Sequence, residues 1–170
     1  TYWAGNTENK VRNTIDKVYP TTKITPSAET IATCDHRALF DEVRAAIPAQ
    51  PKGVLNHVIA VLPRTVTCSW SAVASLGAED ADSGAIFLVN GEQARDVYAH
   101  EFGHNLFLTH GGSLTCWNDA AHTRTVPVSE YCETQTYDDP WDIMGNRREG
   151  ALAAGNRWRL GVIPASARHT

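Results

Sequence analysis

The stretch that decides the reading runs from His100 to His110, HEFGHNLFLTH. On an α-helix, residues four apart are offset by about 40° and rise about 6 Å, so His100 and His104 project from one face and can share an ion. Glu101 stands beside them, able to reach a metal-bound water without ligating the metal itself. Two neutral imidazoles suit zinc, and a catalytic zinc takes a third protein ligand while leaving one position for water. His110 is the candidate third ligand. Were the helix to continue, His110 would lie roughly 9 Å further along and about 120° around from His104. The spacing therefore predicts that the chain leaves the helix near Leu106-Phe107 and folds back.

Upstream, GAIFLVN from Gly84 to Asn90 has the length and apolar run of a strand, and Arg95 to about Leu106 follows as the helix that carries the first two histidines. HVIAVLP from His57 reads as a second strand, covered on both faces, and CSWSAVASLG as holding a third. CDHRALFDEVRAAIP predicts a helix capped by Asp35, with Leu39, Phe40, Val43 and Ile47 on one face and Pro48 beyond its end. Val11, Ile15 and Val18 repeat at helical spacing before Tyr19-Pro20, which predicts another helix. TTKITPSAET reads as loop with room for one short strand, and AQPKG as a linker. Beyond Gly111-Gly112 the periodicity fades, and only ALAAGNRWRLG again reads as a helix. The second half is expected to be a mostly irregular lobe.

The chain has 170 residues, 42% of them apolar, enough for one globular domain. Fifteen Lys and Arg against nineteen Asp and Glu give a net charge of -4 with no basic cluster, so nucleic acid and anionic membranes are not expected partners. No apolar run reaches the length of a spanning helix. The start TYWAGNTENK is no signal peptide, and the missing initiator Met suggests a mature or trimmed form. Cys34, Cys68, Cys116 and Cys132 form no CxxC pair and read as two disulfides of a secreted protein. Of three possible connectivities, the simplest joins Cys34 to Cys68 and Cys116 to Cys132.

With its histidines, this segment resembles the metzincin superfamily of zinc peptidases, whose motif is HExxHxxGxxH. His100, Glu101, His104 and His110 match the first ligand, the catalytic glutamate, and the second and third ligands; Phe107 falls at the family's glycine. Met144, the single methionine, lies in Asp142-Ile143-Met144-Gly145, which looks like the family's Met-turn. YDDPWDIMGN followed by NRWRLG is similar to the gametolysin-like branch. Two other branches carry a tyrosine two residues after this methionine; Asn146 stands here, so no tyrosine ligand is expected.

The resemblance implies a single α+β catalytic domain over residues 1–170. Its upper subdomain, 1–111, would hold a twisted mixed sheet with the active-site helix above the cleft. Its lower subdomain, 112–170, would hold the Met-turn and a C-terminal helix. It implies a secreted, monomeric zinc endopeptidase with one Zn²⁺ and a protein or peptide substrate. Glu101 would be general base and then general acid. Ile86 to Asn90 would border the cleft with free backbone groups for an extended peptide, and Asn146 to Glu149 would wall a specificity pocket where Arg147 or Arg148 favours an acidic side chain. Two other readings stand beside this one: a glutamate third ligand, Glu130 or Glu133, and a catalytically weak zinc-binding module that binds protein or matrix. The remaining histidines, His36, His57, His122 and His169, show no ligand spacing.

Overall fold

The computed structural model describes residues 1–48, 56–64, 68–77, 85–91, 93–146 and 150–167. The chain is α+β with two small sheets, and it divides into two compact units, Thr1–Leu108 and Thr109–Thr170. The AQPKG linker, Gly84, Arg147, Arg148, Glu149 and His169 lie outside the described residues.

The first unit is built around β3 (Ala85–Asn90), whose six residues are all buried. It runs parallel to β1 (His57–Leu62) and antiparallel to β2 (Ala72–Ala74), so it is the central strand of a mixed sheet ordered β1-β3-β2. Successive side chains of a strand go to opposite faces. Ile86 and Leu88 accordingly meet Leu39, Phe40 and Val43 of α3 (His36–Ala46). On the other face Phe87 packs edge-on against Tyr98 of α4 (Arg95–Asn105), with ring centroids 6.2 Å apart. Two covered faces explain an apolar run without alternation, and each large side chain buried there contributes about 1.5–3 kcal/mol. Asp35 caps α3 by accepting hydrogen bonds from the backbone N–H groups of Arg37 and Ala38 at 3.0 and 3.2 Å.

Three expectations fail in this unit. Residues 11–18 form no helix, and Ile15 and Val18 are 82% and 80% exposed. A stretch this short, with β-branched apolar residues and no surface to pack on, does not sustain a helix. Helix instead forms at α1 (Tyr2–Asn6), anchored by buried Trp3 against Phe102, and at α2 (Ala28–Thr33), capped by the Ser27 hydroxyl. β1 is not covered on both faces along its length: His57 packs on Phe102 of α4 with ring centroids 4.6 Å apart, but Ile59 and Val61 on the same face are 48% and 59% exposed. Lastly, Ile86 to Asn90 offers no free edge, since neighbours bond it on both sides. The outer edges of this sheet belong to β1 and β2.

The second unit is less irregular than expected. β4 (Ser113–Trp117), β5 (Thr125–Val126) and β6 (Tyr131–Gln135) form an antiparallel sheet ordered β5-β4-β6, and α5 (Ala154–Arg159) follows. These strands are short, β6 is exposed on both faces and β4 exposes Leu114 beside buried Cys116, so no apolar alternation announced them. Cys116 and Cys132 face each other across β4 and β6 and form a disulfide, with Cα atoms 4.0 Å apart. Cys34 and Cys68 form the second disulfide, within the first unit, and no cysteine is free. Two disulfides are compatible with an extracellular protein. No described helix is long and apolar enough to cross a membrane.

Candidate metal centre

α4 ends at Asn105, and the way it ends brings the histidines of the segment together. The backbone N–H of Leu108 donates to the Gly103 carbonyl at 3.0 Å, and that of Phe107 donates to the His104 carbonyl at 3.0 Å. This pair of bonds is a Schellman motif, whose turning residue adopts the left-handed conformation and is usually glycine. Phe107 occupies that place with φ 68°. Holding a non-glycine residue there costs roughly 1–2 kcal/mol. The expected break at residues 106 to 107 is therefore present, and Phe107 makes the turn without glycine's freedom.

Two contacts hold this turn. Gly77 donates its N–H to the His104 carbonyl at 3.2 Å. A Cβ on Gly77 would stand 2.6 Å from the Asn105 carbonyl oxygen and 3.0 Å from the Phe107 ring, so only glycine lets the segments approach this closely. The Phe107 ring lies over Gly77 and is 47% exposed, so it is not a buried wedge beneath the helix.

His100 and His104 have ring centroids 4.8 Å apart at 83°. His104 Nδ1 lies 2.8 Å from the Leu108 carbonyl oxygen. A carbonyl only accepts, so Nδ1 carries the proton and Nε2 keeps its lone pair for a ligand. His110 follows the turn in the same continuous segment and is exposed. One ligand atom from each of His100, His104 and His110 lies within 4.8 Å of the others. Nitrogens sharing a tetrahedral zinc stand about 3.3 Å apart. The spacing is wider than that of a ligated ion but of the same order, and the cluster could bind a metal ion.

Glu101 is buried beside the first histidine, and no hydrogen bond or ion pair engages its carboxyl group among the described residues. Burial pushes its pKa up to about 8, so without metal the group holds its proton at neutral pH. A nearby cation favours the ionised form and reverses that shift. Glu133, one of the glutamates considered as a third ligand, instead sits 3.8 Å from His122. Neither it nor Glu130 joins the histidine cluster among the described residues.

In the second unit, the residues next to His110 are held from several directions. Arg159 donates to the Thr109 hydroxyl at 2.9 Å. The Gly111 N–H donates to the Met144 carbonyl at 2.7 Å, and the Gly111 carbonyl accepts from Asp139 N–H at 3.2 Å. Met144 is fully buried in a tight turn closed by the Gly145 N–H and the Asp142 carbonyl at 2.9 Å. Asp142 also accepts from Met144 N–H at 2.9 Å and from the Asn156 amide at 2.6 Å. Gly145 is required there because a Cβ would run into the Asp139 carbonyl oxygen.

The other histidines stand apart from the cluster. His57 hydrogen-bonds Asn105 at 3.3 Å, His36 packs on Phe40 and His122 stacks on Trp117. Of the expected pocket wall only Asn146 is described, and it bonds Asp138 at 2.8 Å. Sequence reasoning missed Tyr137, whose ring packs edge-on against His110 with centroids 4.2 Å apart. Nothing in its spacing signals that contact. Comparison with known proteins finds no matching family model, no matching curated protein and no matching solved structure.

Proposed function

We propose that the chain is a secreted zinc endopeptidase resembling the gametolysin-like branch of the metzincins, with His100, His104 and His110 as the ligands of one zinc ion. The observation that carries this reading is the convergence of three imidazoles next in sequence to a buried carboxyl group that has no hydrogen bond or ion pair among the described residues. Structural carboxylates are normally paired, and an unpaired buried one at a ligand cluster suits acid–base work. When bound, zinc polarises a scissile carbonyl and lowers the pKa of a coordinated water to about 7.

Glu101 accepts the proton of the attacking water on its carboxylate and later delivers it to the leaving amine nitrogen. The Leu108 carbonyl holds His104 in the tautomer that presents Nε2. β2 offers an outer sheet edge, where an extended substrate can pair through main-chain hydrogen bonds. The two disulfides support a secreted location, and the substrate is a protein or peptide.

The test is cleavage of casein or a quenched peptide mixture, with and without a chelator, by the wild type and Glu101→Gln. The wild type should lose activity to the chelator, and Glu101→Gln should lose turnover by about 100-fold or more while keeping zinc. Normal turnover by Glu101→Gln would overturn the mechanism. Tight zinc binding with no cleavage of any substrate would instead favour a binding module of the same fold.

A further inference from the structure

We propose that Tyr137 is a positioning residue for the metal, its ring setting the direction in which His110 presents its nitrogen. The inference rests on the three-histidine reading above. His110 is exposed and lies outside the helix, so neither burial nor helical geometry fixes its rotamer. The Tyr137 ring stands against it at 4.2 Å between centroids and 83° between planes. Edge-to-face packing of this kind is directional. It restricts rotation of the imidazole in a way a flexible aliphatic side chain would not.

The backbone beneath that ring carries an independent sign. Tyr137 has φ 70°, in the region that favours glycine and asparagine. Such a conformation persists where its surroundings impose it, and here the surroundings are the residues that follow His110. Asp139 N–H donates to the Gly111 carbonyl at 3.2 Å, and the Ser113 hydroxyl donates to Asp138 at 2.9 Å. Gly112 passes so near the Gln135 carbonyl oxygen that a Cβ would stand 2.7 Å from it. The loop after β6 is thus pinned to residues 111–113 on both sides of Tyr137, and its one large ring is delivered to the third ligand. Tyr137 is not assigned as a ligand itself.

Groups that orient a metal ligand typically contribute about 10–100-fold in metal affinity. The experiment measures zinc affinity against a chromophoric chelator, and the visible spectrum of the cobalt-substituted protein, for the wild type, Tyr137→Phe, Tyr137→Asn, Tyr137→Leu and His110→Ala. Asparagine suits the positive φ, so Tyr137→Asn deletes the ring without straining the loop. Tyr137→Phe should bind zinc within about twofold of wild type, with its cobalt spectrum unchanged. Tyr137→Asn and Tyr137→Leu should both bind about 10–100-fold more weakly with a shifted cobalt spectrum, while the metal-free thermal midpoint of Tyr137→Asn stays at or above wild type.

Wild-type affinity and spectrum in both ring-deleted variants would overturn the proposal, and so would an equal loss in Tyr137→Phe, which would assign the effect to the hydroxyl. His110→Ala separates this failure from that of the site itself. If it binds zinc as tightly as wild type, the three-histidine reading falls. If it binds weakly while the ring-deleted variants do not, only the role of Tyr137 falls.

Discussion

His104 Nδ1 and the carbonyl oxygen of Leu108 lie 2.8 Å apart, across a turn whose central residue, Phe107, has φ 68°. The bond couples the tautomer of one imidazole to the geometry of the helix end. It makes the turn part of the candidate site, although Phe107 is assigned no ligand role. Substitutions at the turn therefore report on both stability and metal binding.

Phe107→Gly should leave zinc affinity and activity at the wild-type level. Glycine removes roughly 1–2 kcal/mol of backbone strain but adds unfolded-chain entropy and loses a half-exposed ring contact. The terms oppose each other, and the net change in unfolding free energy should stay within about 1 kcal/mol. Phe107→Val, β-branched at positive φ, should destabilise clearly and weaken zinc. Denaturant unfolding and chelator competition on both variants provide the check.

Gly77→Ala should destabilise by about 1–3 kcal/mol, because its new methyl group meets a backbone carbonyl that cannot swing aside. The clash falls on Asn105, next to His104, so zinc affinity should drop as well. Wild-type values for both quantities would show that the β2 segment can shift away from the helix end.

Asp142→Ala should cost about 2–4 kcal/mol. It leaves the buried Met144 N–H and the Asn156 amide without their acceptor, and each unsatisfied donor costs about 1–3 kcal/mol. Asp142→Asn keeps one acceptor oxygen and should lose less. Thermal unfolding of the two variants in metal-free protein distinguishes them.

His57 gives a pH dependence whose sign follows from its shift. Burial lowers its pKa below the usual histidine value, and the Asn105 hydrogen bond opposes this only in part. The unfolded chain therefore binds the proton first as pH falls. The stability associated with His57 is complete above about pH 6.5 and is lost as pH drops from there through the folded value. In metal-free protein, His57→Gln should show a shallower decline of stability below about pH 6.5 than wild type. Equal slopes would mean that His57 titrates alike in both states.

Replacing Cys116 and Cys132 by alanine should destabilise by about 3 kcal/mol, the loop-closure value for roughly fifteen residues. The bridge ties β4 to β6, and β6 leads into the loop that carries Tyr137. A weaker zinc affinity should accompany the loss of stability, and chelator competition reads it.

Much of the first unit was legible because its signals are local. The Asp35 cap, the apolar face of α3 and the unbroken apolar run of β3 each fix structure through neighbours in the sequence. The His100–His104 spacing is of the same kind, and the expectation that His110 joins them required a helix break at a residue that is not glycine, which the turn at Phe107 supplies. The helix expected at residues 11–18 failed for the converse reason: spacing alone makes no helix without a surface to bury it.

What the chain could not announce were relationships between distant residues. That β3 is central rather than an edge depends on where β1 and β2 pair, and Gly77 matters only because it is brought against Asn105 and Phe107. Tyr137 gains its place against His110 through hydrogen bonds made after the chain has turned back on itself. Sequence by itself determined the candidate ligand types, their helical spacing and the turn that would bring His110 back towards them, since dihedral geometry and periodicity are local. Only tertiary structure decided which strand edges stay open and which side chains hold the histidines, because those depend on contacts that no local periodicity encodes.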